Sequence, residues 1–260
     1  MAKSDAMWRQ PVLHLMQDPR SAFALWMPEG FLLLGNTDVH MSVKGAVCWR
    51  REAQDEQPST WRYEHQNADG QMTLCGEVGE LRSHGGMENG WLMSLTVRNE
   101  SEHAWPAVVA PVCLSLCATA AFDGKNHADV WYRSGGQFKS LAEQHYEGGL
   151  PGHCMVLVRG RSHIERTARH RAKWGFALDE SDDGIIAATS SDGSQVLTLG
   201  WQRVHQLQAN ACPHLACIHA NPFFGDLAPG QAITVRGSVL VSSGGLARAW
   251  EACLASLATE

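Results

Sequence analysis

Along this chain, hydrophobic and polar positions alternate with a period of two far more often than with the period of a helix. In "WLMSLTVRN" (91–99), Met93, Leu95 and Val97 alternate with Ser94, Thr96 and Arg98. That is the pattern of a strand with one buried and one solvated face. The same reading makes strands of "FLLLG" (31–35), "DVHMSVKGAVCW" (38–49), "STWRYEH" (59–65) and "QMTLCGEVG" (71–79). "WPAVVAPVCLSLC" follows the turn "NES", and its Pro106 and Pro111 suit an edge or a strand start.

The second half continues the habit. "ADVWYR" and "GQFKSL" flank a short hairpin signal at Ser134-Gly135-Gly136. "GIIAATSSDGSQVLTLGW" is the clearest hairpin, with Asp192-Gly193 between two apolar strands. "LAPGQAITVRGSVLVS" supplies a Pro-Gly turn and a long alternating strand. Only the tail reads as helix: Leu246, Trp250, Cys253, Leu254 and Leu257 form one stripe, predicting a helix over about 245–258. No repeat and no linker marks a border. Many strands with little helix predict an all-β fold, a large antiparallel β-sandwich or supersandwich with a C-terminal α-helix. A single domain is expected over residues 1–260.

Composition narrows the partners. The formal charge of −6 argues against nucleic acid or an anionic membrane as partner. No apolar run approaches the ~20 residues that span a bilayer. The opening "MAKSDAMWRQPVLHLMQDPR" carries charges and a proline where a secretory leader needs an apolar core. The eight cysteines are scattered, mostly inside apolar runs such as "PVCLSLC". They read as buried thiols of a cytoplasmic protein rather than a disulfide framework. In that compartment the sequon at Asn99 carries no glycan.

Two segments resemble galactose-mutarotase-like proteins. "WLMSLTVRNESEHAWP" is similar to the strand-and-turn segment in which a central strand ends in Asn-x-Ser, and "GDLAPGQAITVRGSV" resembles the closing turn and strand. The resemblance implies a sugar-handling supersandwich. The mutarotases also have a His-rich segment after the first strand and a catalytic Glu near the end. Here "PVCLSLC" stands in the first place, and the second region offers no carboxylate beyond Asp226. The resemblance therefore implies fold, and no residue role carries over.

Candidate chemistry concentrates in "CPHLACIHANPFFGDLAPG" (212–230). Cys212 and His214 are two apart, as are Cys217 and His219, so in an extended chain each pair shares a face. Thiolate and imidazole suit zinc or copper, but a metal site needs one pair plus a distant ligand such as His205 or Asp226. A nucleophilic Cys217 with His219 as base meets a spacing of roughly 6–7 Å along a strand, long for proton transfer. A bland alternative packs Cys217 inward and leaves the histidines capping carbonyls. The reading preferred here is a polar cleft corner where His219, Asn221 and Asp226 converge beside Phe223 and Phe224, with one group as acid or base.

Further candidates lie elsewhere. Ten tryptophans stand against three tyrosines, several beside Arg, and Trp131 and Trp201 are the rings expected to stack on a sugar, with Arg133 nearby for its hydroxyls. "FDGKNHADVWYR" offers Asp123, His127 and Asp129. The basic run 159–174 could hold an anion, or pair with "DESDD" (179–183). Together these predict a carbohydrate-active sandwich that binds a sugar or sugar acid, with isomerase, epimerase, lyase or hydrolase chemistry from His219, His205, Asp226 and Cys217. The competing readings are a zinc or copper enzyme with ligands in 205–226, and a binding module without catalysis.

Overall fold

The computed structural model describes residues 7–8, 10–15, 22–33, 40–42, 46–52, 59–81, 87–119, 121–122, 127–161, 173–212 and 215–258. Period-two alternation becomes strand over most of the described segments where it was read; in 38–49, however, only His40–Ser42 and Trp49 are strand, 46–48 are turn or irregular, and the rest lies outside the described residues. Met72–Leu81 buries every second side chain over most of its length, and Met87–Asn99 lies against it in antiparallel register from Met72↔Asn99 to Leu81↔Gly90.

Two sheets result. The first has ten strands in the order Met7–Trp8, Trp49–Glu52, Thr60–Gln66, Met72–Leu81, Met87–Asn99, Ala232–Ser243, Gln195–Trp201, Ile185–Thr189, Val130–Ser134 and Gln137–Ser140. The second has eleven. Its main path runs Tyr146–Glu147, Gly175–Ala177, His153–Leu157, Val204–Cys212, Leu215–Leu227, Trp105–Val109, Gly30–Leu33 and His40–Ser42. Cys113–Ala118 also pairs with Leu215–Leu227, and carries Ala22–Trp26 and then Val12–His14 beside it. Only His153–Leu157 and Gly175–Ala177 pair in parallel among these strands.

The inward faces share one hydrophobic core. Leu74, Met93, Leu95, Leu197 and Val239 from the first sheet meet Phe23, Leu25, Leu114, Leu207 and Ile218 from the second. Such layering lets each sheet bury one face against the other. The expected antiparallel β-sandwich and its C-terminal helix are both present.

The helix, Gly245–Ala258, covers the outer face of the first sheet. Its stripe buries Ala249, Trp250 and Cys253 against Ile185, Ala187, Val196 and Leu240. The close approach needs Gly200, where an added Cβ would stand 2.9 Å from Cys253 Sγ. No described helix is long and apolar enough to cross a membrane.

Candidate functional site

The segment Cys212 to Gly230 is not a corner. Most of it, Leu215–Leu227, is a continuous strand paired with Val204–Cys212. Leu207, Ala209, Ala216, Ile218 and Ala220 enter the core. Their neighbours therefore project from the opposite face of the sheet. Directly opposed residues share a face, so the register places Gln206 beside Asn221, Gln208 beside His219, and Asn210 beside Cys217. The flanking strands extend these rungs. Cys113 lies opposite His219 and Ser115 opposite Cys217. On the other flank, Met155 lies opposite Gln208 and His153 opposite Asn210.

This face is polar and yet buried. Gln206, Gln208, Asn210, His219 and Asn221 are all 5% exposed or less. Asn221 Nδ2 donates to Gln208 Oε1 at 2.8 Å, and Asn221 Oδ1 accepts from the Val112 backbone N–H at 3.2 Å. Gln206 Nε2 and Asn210 Oδ1 are buried with no hydrogen-bond partner. Each such orphan costs about 1–3 kcal/mol.

At its centre, Cys217 Sγ lies 3.2 Å from His219 Nε2. Asn210 Nδ2 donates to Cys217 Sγ at 3.0 Å and stands 3.4 Å from His219 Nε2. The other ring nitrogen, Nδ1, faces Glu29 Oε2 at 4.0 Å. Trp174 meets both His153 and His219 edge-on, with ring centroids 5.6 and 6.2 Å away. The hydrogen bond with Cys113 lowers the Cys217 thiol well below its usual range, against burial and with help from His219 and Asn210. For His219, burial acts to lower the imidazole, but the Cys217 thiolate, with Glu29 adding to it, raises it overall. Both directions describe a thiolate–imidazolium pair, able to exchange a proton.

The 3.2 Å contact corrects the spacing expected from strand rise alone. Side chains two apart on a strand project in parallel from Cα, but they lean along the strand, and long ones close the gap.

The other candidates fall elsewhere. Asp226 is exposed, its Oδ1 accepting the Ala107 N–H at 2.8 Å, so it does not converge with His219. His205 occupies an irregularity between Val204 and Gln206, with Nδ1 bonded to Gln206 Oε1 and its ring 5.7 Å from Phe223. Trp201 is 1% exposed in the main core. Trp131 packs under the helix with Nε1 donating to Thr189 Oγ1 at 3.3 Å. Arg133 donates to Asp183 Oδ2 at 2.7 Å. His127 Nδ1 is 3.0 Å from Cys154 Sγ. Asp123 lies outside the described residues, as does part of the basic run. Within that run, Arg159 pairs with Asp182 at 2.8 Å. Asn221 shares the face of Cys217 and His219, although both ends of its amide are engaged.

A cavity of about 680 Å³ on the outer face of the first sheet, lined in part by Arg50, Glu52, Arg62 and Glu77, offers less. Its Arg62 is already held by Glu52 at 2.9 Å and Glu77 at 3.0 Å.

Sequence reasoning missed Cys113, Gln208, Asn210, Glu29 and Trp174. A signal for two of them was present: in 206–211, Gln206, Gln208 and Asn210 alternate with Leu207, Ala209 and Ala211. Alanine is a weak apolar marker, which hides the strand.

No protein-family model matches the chain, and no curated protein matches it. Among solved structures it is similar to a provisionally named aldose 1-epimerase from Escherichia coli K12, at 12% identity and TM-score 0.47, over 90% of this chain and 89% of that one. It is also similar to a galactose mutarotase-like protein from Lactobacillus casei ATCC 334, at 12% identity and TM-score 0.40, over 85% of each chain. A third is a GH36 alpha-galactosidase from Geobacillus stearothermophilus in complex with raffinose, at 10% identity and TM-score 0.41. That match covers 90% of this chain and 30% of the galactosidase. The likeness concerns the fold, and it assigns no residue a role.

Proposed function

We propose that the chain binds a small polyhydroxylated ligand, a sugar or sugar acid, on the outer face of the second sheet, along the rungs built by Gln206, Gln208, Asn210 and Asn221. The observation that carries this reading is the pair of orphaned amide atoms, Gln206 Nε2 and Asn210 Oδ1, buried on one face of one strand. A donor and an acceptor held dry and unpaired are complementary to hydroxyl groups, which both give and accept hydrogen bonds. Trp174 borders this face beside His153 and His219, buried and with Lys173 Nζ 4.7 Å over its ring, so the amides rather than the indole carry the reading.

The test is calorimetric titration and thermal shift with a panel of hexoses, pentoses and hexuronates. Saturable binding is expected for at least one member, weakened about tenfold or more by Gln206→Met, which keeps side-chain length and removes the amide. Absence of binding across the panel, or binding untouched by Gln206→Met, overturns the reading.

A further inference from the structure

Cys113, Cys217 and His219 come from two neighbouring strands, and their donor atoms, Sγ, Sγ and a ring nitrogen, lie within 4.8 Å of one another, all buried. We propose that these residues form a binding site for a zinc ion, with Asn210 closing it. This does not rest on the sugar-binding reading; with the ion bound, Asn210 Oδ1 is a ligand, which leaves Gln206 Nε2 and the Gln208–Asn221 pair to meet a sugar.

The chemistry of the donors points to zinc. Zinc bonds of about 2.3 Å to sulfur and about 2.0 Å to nitrogen at tetrahedral angles leave sulfur and nitrogen about 3.5 Å apart. Cys217 Sγ and His219 Nε2 stand 3.2 Å apart, so small side-chain rotations admit the ion. Two thiolates cancel its double charge. A buried site with no net charge avoids the solvation cost that excludes a bare cation from a protein interior.

Two further features fit the same ion. A metal-bound histidine ordinarily turns its other ring nitrogen toward a carboxylate or carbonyl, which fixes the ring and raises its basicity. His219 Nδ1 faces Glu29 Oε2 at 4.0 Å. Asn210 is the second. Its Nδ2 lies 3.0 Å from Cys217 Sγ and 3.4 Å from His219 Nε2, while its Oδ1 is buried without a partner. The oxygen and nitrogen of an amide exchange places by a half-turn, and their assignment follows from the hydrogen-bond network around them. Turned over, the amide sets its oxygen where Nδ2 stands, at ligand spacing from both donors. With the ion bound, Cys217 and His219 are ligands rather than an acid–base pair, and the site ties Cys113–Ala118, Val204–Cys212 and Leu215–Leu227 together.

The experiment uses the full chain purified without a histidine tag, reduced and stripped with chelator, then titrated with cobalt(II) as a spectroscopic probe and back-titrated with zinc. The expected result is one cobalt per chain, with a thiolate-to-cobalt charge-transfer band and the visible bands of tetrahedral cobalt, all bleached by one equivalent of zinc. Cys113→Ser and Cys217→Ser should each abolish the charge-transfer band or cut affinity at least a hundredfold, and Cys48→Ser, at an exposed thiol, should leave it unchanged. The wild-type titration decides the matter even where a variant fails to fold. A wild-type chain that takes up no cobalt overturns the proposal, and so does a charge-transfer band whose intensity and affinity are both unchanged in Cys113→Ser and in Cys217→Ser. Mass-spectrometric detection of a Cys113–Cys217 disulfide as the resting state would overturn it as well.

Discussion

Asp226 Oδ1 accepts a 2.8 Å hydrogen bond from the backbone N–H of Ala107, and Ala107 is held at φ 44°. That conformation is costly for a residue with a Cβ and persists only where its surroundings enforce it. The pair sits where the register between Trp105–Val109 and Leu215–Leu227 shifts. Asp226 is therefore a clamp on an irregular strand pair. Asp226→Ala should cost about 1–2 kcal/mol of stability in urea denaturation, while Asp226→Asn, which keeps an acceptor, should cost less than half as much. Ligand affinity should be unchanged in both. A variant with full stability and lost binding would return Asp226 to the ligand.

Asp183 joins the helix to the sheet. Its Oδ2 accepts from Arg133 Nη2 at 2.7 Å and from Trp250 Nε1 at 3.0 Å. Burial raises this carboxylate's pKa, and the bonds from Trp250 and Arg133 oppose that rise. Removing the acid leaves a half-buried guanidinium and a buried indole N–H without their partner. Asp183→Ala should therefore destabilise by about 2–4 kcal/mol. Arg133→Ala should cost less, because Trp250 can still donate to the remaining carboxylate. Equal losses from the two variants would show that Trp250 gains nothing from Asp183.

The strands that sequence made legible are those whose buried face carries large side chains. Met93, Leu95 and Val97 announce Met87–Asn99, and Asp192-Gly193 announces the hairpin from Ile185–Thr189 to Gln195–Trp201. The strands it did not announce are informative. Val204–Cys212 and Leu215–Leu227 bury alanine at Ala209, Ala216 and Ala220, and turn a second buried face of amides and thiols away from the core. A strand buried on both faces, one of them polar, has no amphipathic contrast to read. The pairing of Cys217 with His219 was visible as a shared face. The arrival of Cys113 was not, because it depends on Cys113–Ala118 pairing with Leu215–Leu227 across about a hundred residues of chain, a choice that local pattern does not encode.

Trp201 was a candidate for stacking on a sugar, and the structure holds it against Gly237 instead. A Cβ added at Gly237 would stand 2.5 Å from Trp201 Cδ2 and 2.8 Å from the Gly200 carbonyl oxygen. The backbone contact leaves the sheet little room to yield. Gly237→Ala should destabilise by about 1–3 kcal/mol, as overpacked cores do, and should shift the emission of the buried indole. Trp201→Phe, which opens space, should relieve part of that loss in the double variant. Additive losses in the double variant would mean that the two residues do not compete for the same volume.

His127 supplies the pH test. Burial lowers its imidazole below the ordinary value, and neighbouring His153 lowers it further, with Nδ1 3.0 Å from Cys154 Sγ. The unfolded chain protonates this side chain near pH ~6.5; the folded chain does so only at lower pH. As pH falls through about 6.5, the unfolded state takes up a proton that the folded state refuses, and stability is lost until the folded pKa is reached. The contribution is thus complete above the unfolded value and absent well below the folded one. His127→Gln removes this term. Urea midpoints measured from about pH 7.5 down to about pH 5 should show the wild type falling more steeply than the variant, so that the difference, wild type minus variant, decreases toward acid. A difference, wild type minus variant, that stays constant or increases toward acid would show that His127 is not held neutral by its surroundings.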